Sequence, residues 1–393
     1  LLKDTGERIC TWLQENLSTW QDLSLAIHRH PELGYQEYFA CKLLTEALAA
    51  GGFTVQKGIG EMETAFWAEC QGKGTGPTLA LLAEYDALPE LGHACGHNII
   101  GVAAVAAGLA LARFRSEWSG RIAVIGTPAE ETGGGKVILV QKGYFQAVDF
   151  AMMIHPADHF CAQVTSTAMD AIEYVFYGKP AHAAASPQEG ISALEGVIQL
   201  FNNINALRPY LPDGVRINGI ITEGGIAPNI VPERAVARFY IRAKQRNYLN
   251  TLVEKVHNCA RGAALATGCK VEWHNFELSY DEMCTNQTMA RIFEQKLRYL
   301  GVEQIRSGRE GMGSLDMGNV SQVVPAIHPY VAIGSLGLTA HTQEFAQAAG
   351  GPGGLNGLLL GAQAMALTAL EILNKPALQK QIRSEFENRG SCS

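Results

Sequence analysis

The sequence predicts an α/β protein of two domains: a mostly parallel sheet flanked by helices, with a smaller α+β segment inserted into it. Three observations carry this. Nearly continuous apolar strands alternate with helical stretches up to FAMMIHP (150–156), strands turn to half-exposed alternation near residue 169, and the α/β pattern returns after Asn286. At 393 residues the chain also exceeds one comfortable core.

The elements follow in order. WLQENLSTWQDLSLAIHRHPELGYQEYFACKLLTEALAAGGF has helical periodicity, broken at Pro31 and closed by Gly51-Gly52. TAFWAEC (64–70) and TLALLAEYDALP (78–89) read as strands, the second apolar enough to be buried on both faces. The run IIGVAAVAAGLALARF from Ile99 is a core helix, too short for a membrane span. RIAVIGTPAEE (121–131) is a further buried strand, followed by a Gly-rich loop and a helix from Lys136, and FAMMIHP is another strand. Inside the insert come AIEYVFYG (171–178), a helix over 190–206, VRINGIITEG (215–224), AVARFYIRA (235–243), a helix over 247–267 and KVEWHNF (270–276). A long Ala/Leu helix over 356–373 ends the pattern. The boundaries expected are 1–168 with 279–393 for the larger domain and 169–278 for the insert.

Composition narrows the function. A net charge of −7, without runs of like charge, argues against nucleic-acid and anionic-membrane partners. Nine scattered cysteines, an odd number in a long chain, read as reduced thiols of a cytoplasmic protein rather than a disulfide framework. No signal peptide is visible in the sequence.

The informative residues sit where buried strands end. Asp86 ends TLALLAEYDALP, Cys95 and His97 follow in LGHACGHNIIG, Glu130 and Glu131 end RIAVIGTPAEE, His155 ends FAMMIHP, and His341 lies in SLGLTAHTQEF. In parallel α/β sheets, groups at the carboxyl ends of strands converge on one point. A thiolate, three imidazoles and a carboxylate suit Zn²⁺, and also accept Mn²⁺ or Co²⁺. Two ions about 3.5–4 Å apart can share such a set. Of the adjacent glutamates, one then binds metal while its neighbour takes a proton from water and passes it to the leaving nitrogen. His93 reads as loop structure or support for the ligands, His28 and His30 as helix-end residues, and His257 and His274 as packing. GTPAEETGGG contains glycines but lacks the Lys-Ser/Thr of a phosphate-binding loop.

These motifs in this order, DALPELGHACGHN, TPAEE, IHP and AHT, resemble the M20 metallopeptidases, in particular their amidohydrolase branch (subfamily D), where a cysteine stands in HACGH. HRHPELGYQE, GKPAHAAASPQEG, GGIAPNIVPERA and GSLDMGNVSQVVPAIHPY extend the resemblance over nearly the whole chain. It implies an M20-type catalytic domain with a ferredoxin-like inserted lid that also pairs two copies into a homodimer. Cys95 would bridge two metal ions, with His97, Glu131, His155 and His341 completing the ligands. Glu130 would be the general base and Asp86 would orient a ligand imidazole. His182, in GKPAHAA, would donate to the oxyanion, from the same subunit or its partner, and Asn229 and Arg242 would hold the substrate carboxylate. Glu84 departs from the pattern, standing where other branches have a metal-binding histidine. The implied reaction is metal-dependent hydrolysis of an amide in a small carboxylate-bearing molecule. A dipeptide, including one with a basic C-terminal residue, is the first reading. An N-acyl or aminobenzoyl amino acid is the alternative. A free substrate amine would want a carboxylate, for which Glu84, Glu90 and Asp316 are candidates. A non-catalytic binding protein on this fold leaves the full ligand set without a chemical reason, and a cysteine hydrolase leaves the Glu-Glu pair unexplained.

Overall fold

The computed structural model describes residues 2–308 and 313–389. The chain forms two compact units. One comprises the chain up to Thr165 with the stretches from Met283 and Leu315 onward, and the other is Ser166–Glu282.

The larger unit is built on a six-stranded sheet. Strands β1 (Thr54–Lys57), β2 (Phe66–Gln71), β3 (Thr78–Ala83), β4 (Arg121–Gly126) and β5 (Phe150–Met152) lie in the order β1-β2-β4-β3-β5, with Ala326–Ile327 beyond β5. β4, β3, β5 and Ala326–Ile327 run parallel, and β1 and β2 add antiparallel pairings at one side. All six residues of β3 are buried. Leu79 and Leu81 enter one apolar core and Ala80 and Leu82 another, so the period-2 alternation of side chains feeds both faces. The helix α1 (His97–Arg113) covers the first core, and Pro352–Asn374 packs against it. Pro352–Asn374 is long and apolar enough to cross a membrane, yet here it lies mostly within the unit's core. β1, Phe160–Cys161 and Ala326–Ile327 are too short for the sequence pattern to have announced them.

A second, mixed sheet in this unit joins His155–Ala157, Phe160–Cys161, Tyr330–Ala332 and Ile305–Arg306, with His155 in register with Tyr330. Cys95 is a free thiol, as are Cys10, Cys41, Cys70, Cys161, Cys259 and Cys269.

The smaller unit runs β6 (Ala168–Tyr177), α2 (Ala193–Leu207), β7 (Arg216–Glu223), β8 (Arg234–Ala243), α3 (Arg246–Thr267) and β9 (Lys270–Asn275). The antiparallel order β9-β6-β8-β7, with two helices on one face, is the ferredoxin-like arrangement. Ser192 caps α2 by accepting from the Glu195 N–H at 3.3 Å. β6, expected half-exposed, is buried along nearly all its length. It is central in the sheet, and long neighbouring side chains cover its other face, with the Arg238 guanidinium donating to Glu173 at 2.6 Å.

Candidate metal centre

The site is assembled at the end of β3. Past Ala83 the chain presents Glu84 and Asp86, both buried, then loops to Gly96 and enters α1 at His97. Gly96 caps α1 with φ +78°, and a Cβ there would stand 2.7 Å from Pro156 Cγ. Glycine is therefore required to lay Cys95 and His97 on the site.

Asp86 fixes two partners. Its Oδ1 is 2.8 Å from Nδ1 of His97, and its Oδ2 accepts the Glu131 backbone N–H at 3.0 Å. A carboxylate at Nδ1 keeps the proton there and turns the Nε2 lone pair inward. Burial disfavours a charged His97, but Asp86 outweighs it and makes the ring strongly basic. His155 is oriented the same way. Its Nδ1 donates to the Pro156 carbonyl at 2.8 Å, so its Nε2 lone pair faces Cys95 Sγ at 3.5 Å.

Glu130 and Glu131 follow Ala129, which has φ +58°. That left-handed turn is held by Glu37, whose Oε1 accepts the Ala129 N–H at 2.8 Å while Oε2 accepts from Thr64. Burial pushes the Glu37 carboxyl up to about 7. Glu131 Oε1 lies 3.7 Å from His97 Nε2 and 3.4 Å from His341 Nε2. His341 also has a left-handed backbone, φ +65°, and its N–H donates to the Ala94 carbonyl at 2.9 Å.

The donor atoms gather in three overlapping sets, Cys95 with His97 and His155, Cys95 with Glu131 and His341, and His97 with Glu130 and Glu131. Within each set all lie inside 4.8 Å of one another. His97 Nε2 and Glu131 Oε1 are buried without a hydrogen bond. Inward-facing imidazole lone pairs beside a thiol and carboxylates fit a bound cation and leave buried acceptors unsatisfied without one. Burial, with Glu131 beside it, holds the Cys95 thiol well above its usual range. A cation is what makes the thiolate accessible. Glu130 is pushed well above the usual carboxylate range by burial, then by Glu131 and Glu84.

The remaining expected residues fall elsewhere. His93 is buried and neutral, its ionisation pushed down to about 3 by burial, and it stacks on His28 rather than joining the donor sets. Glu84 and Asp316 are not open to a substrate amine, because both are paired to the buried Lys136, and Glu90 is exposed. Sequence reasoning misses Lys136 and His328. His328 is buried against the His155 ring, centroids 5.3 Å apart.

His182, Asn229 and Arg242 belong to the smaller unit. Nδ1 of His182 accepts from the N–H groups of Ala184 at 3.2 Å and Ala185 at 3.1 Å, which places the ring proton on Nε2 as a donor. The Asn229 carbonyl accepts the Ala183 N–H at 3.0 Å, so Asn229 and His182 are neighbours. Both lie past the end of the β6–β8 ladder where Tyr177 faces Arg234. Arg242 faces Met169 at the opposite end, with its guanidinium over the Tyr240 ring. Eight positions of β8 separate the two ends, roughly 26 Å at ~3.3 Å per residue. A dipeptide spans only about 7 Å. Within one copy of this unit, Asn229 and Arg242 therefore sit toward opposite ends of the β6–β8 ladder.

Residues 80–370 match the model for peptidase family M20/M25/M40. The chain is 39% identical over 382 residues to the Xaa-Arg dipeptidase of Mus musculus, covering 93% of this chain and 88% of that protein. It is 33% identical over 318 residues to one of the subunits of the p-aminobenzoyl-glutamate hydrolase of Escherichia coli (strain K12), 75% of this chain and 65% of that protein. A dinuclear metal-binding peptidase from Bacillus subtilis shares the fold, with a TM-score of 0.71 at 20% identity over 92% of this chain and 99% of its own.

Proposed function

Because the chain belongs to peptidase family M20/M25/M40 and so hydrolyses peptide or amide bonds, we propose that it is a metal-dependent dipeptidase whose substrates end in a basic residue, arginine foremost. The observation that carries the metal chemistry is the convergence of Cys95, His97, Glu131, His155 and His341 beside Glu130. The basic C-terminal residue rests on likeness to the murine Xaa-Arg dipeptidase.

Those five residues would hold two ions, Zn²⁺ in the first place and Mn²⁺ or Co²⁺ as substitutes. Bound there, the metal supplies Lewis-acid polarisation of the amide carbonyl and a water acidic enough to ionise near neutral pH. Glu130 takes the proton of the attacking water and delivers it to the departing amine nitrogen. The Nε2–H of His182 donates to the developing oxyanion. Arg242 holds the substrate carboxylate with its planar fork. Since Arg242 and His182 lie too far apart in one copy, we assign them to different subunits of a homodimer. The edge strand β7 supports this, with Ile220 and Ile221 exposed along it and Ile226 exposed just beyond. Net charge argues against nucleic-acid and anionic-membrane partners, and free thiols support a cytoplasmic enzyme.

The test is hydrolysis of alanyl-arginine, β-alanyl-lysine, aminobenzoyl-glutamate and N-acetyl amino acids by metal-loaded protein, with and without chelator. Cleavage of the basic dipeptides that chelator abolishes is the expected result. Preference for the acylated compounds would move the enzyme to the amidohydrolase reading favoured by the Escherichia coli relative. Rates indifferent to chelator would sink both.

A further inference from the structure

Beside the gathered donors lies a buried ion cluster that the hydrolytic steps do not use. Lys136, near the start of the helix Gly135–Gln141, is fully buried. Its ammonium donates to Glu84 Oε1 at 2.6 Å and to Asp316 Oδ1 at 2.7 Å, and its backbone N–H donates to Asp316 Oδ2 at 3.0 Å. Three of the four carboxylate oxygens are thereby engaged. The fourth, Glu84 Oε2, is buried without a hydrogen-bond partner, 3.5 Å from the equally unpartnered Nε2 of His97.

Two carboxylates and one ammonium leave one net negative charge. The hydrogen bonds assign it to the oxygen that faces His97. A buried charge with no counterion is strongly disfavoured. The competing occupant is a proton on Nε2 of His97. At 3.5 Å that contact is long for a hydrogen bond to a carboxylate, and a cation placed between two acceptors satisfies both.

Resting on the metal-hydrolase reading above, we infer that Glu84 Oε2 is a further metal ligand sharing an ion with Nε2 of His97, and that Lys136 and Asp316 are positioning residues that turn it there. A second carboxylate adds a hard donor to a Cys/His set. It should therefore favour Mn²⁺ more than Zn²⁺.

The experiment titrates metal-free full-length wild type and Glu84→Gln with Mn²⁺ and Zn²⁺ by calorimetry, and records Tm with and without each metal. Glu84→Gln leaves Lys136 and Asp316 as a neutral pair and removes the unpartnered anionic oxygen. Its metal-free Tm is therefore expected at or above that of wild type. Its Mn²⁺ affinity should fall about tenfold or more, its Zn²⁺ affinity less, and its metal-induced rise in Tm should shrink. Where Glu84→Gln does not fold, Glu84→Asp keeps the charge but draws the whole carboxylate back by one methylene, and the same loss of Mn²⁺ affinity is expected. Metal affinities equal to wild type, whatever the metal-free stability, overturn the inference. Wild type that takes up no metal defeats the hydrolase reading itself, so the two failures are told apart.

Discussion

Glu130 is half-buried at the end of a left-handed turn, among groups that resist its ionisation. A carboxyl so placed is suited to move a proton rather than to pair permanently with one partner. Glu130→Ala should retain metal uptake yet lose turnover by roughly 10²–10⁴-fold, the usual worth of a positioned base. Steady-state rates beside metal content check this, and a variant keeping more than about a tenth of the rate would remove Glu130 from the role. At this scale the strand-end acids, imidazoles and thiol could be read from the sequence because apolar runs announce where strands stop. Lys136 could not. Lysine is ordinarily a surface residue, and nothing in GGGK distinguishes a solvated ammonium from one enclosed by two carboxylates. The same blindness made Glu84 and Asp316 look available to a substrate amine.

The decisive element is the loop from β3 into α1. It must return the chain beneath Pro156 and start a helix on His97, which Gly96 permits at φ +78°. Gly96→Ala adds a left-handed alanine and a Cβ 2.7 Å from Pro156 Cγ. It should cost about 1–3 kcal/mol, read as a lower Tm and lower denaturant midpoint of metal-free protein. An unchanged midpoint would show that the loop relaxes freely. The long elements were legible from periodicity. Ala326–Ile327 and Phe160–Cys161, with two residues each, carry no period to read, and β6 reads as half-exposed because the sequence does not show its central place in the sheet, where Arg238 of the next strand reaches its Glu173.

At the scale of the whole molecule, each unit has its own apolar core, and the expected insert 169–278 falls inside the compact stretch Ser166–Glu282. The sequence displayed His182, Asn229 and Arg242 in motifs that resemblance drew into one pocket. It did not display the antiparallel register that sends two of them to one end of a strand and the third to the other. That strand length has a kinetic meaning. If β8 acts as a ruler longer than the substrate, no chain on its own carries a complete complement of groups for turnover. Specific activity should then fall as the enzyme is diluted through its subunit dissociation constant. It should return when active-site-dead Glu130→Ala chains are mixed with chains lacking His182, because each heterodimer restores one whole site. Specific activity that is constant on dilution to monomer would show that a single copy suffices.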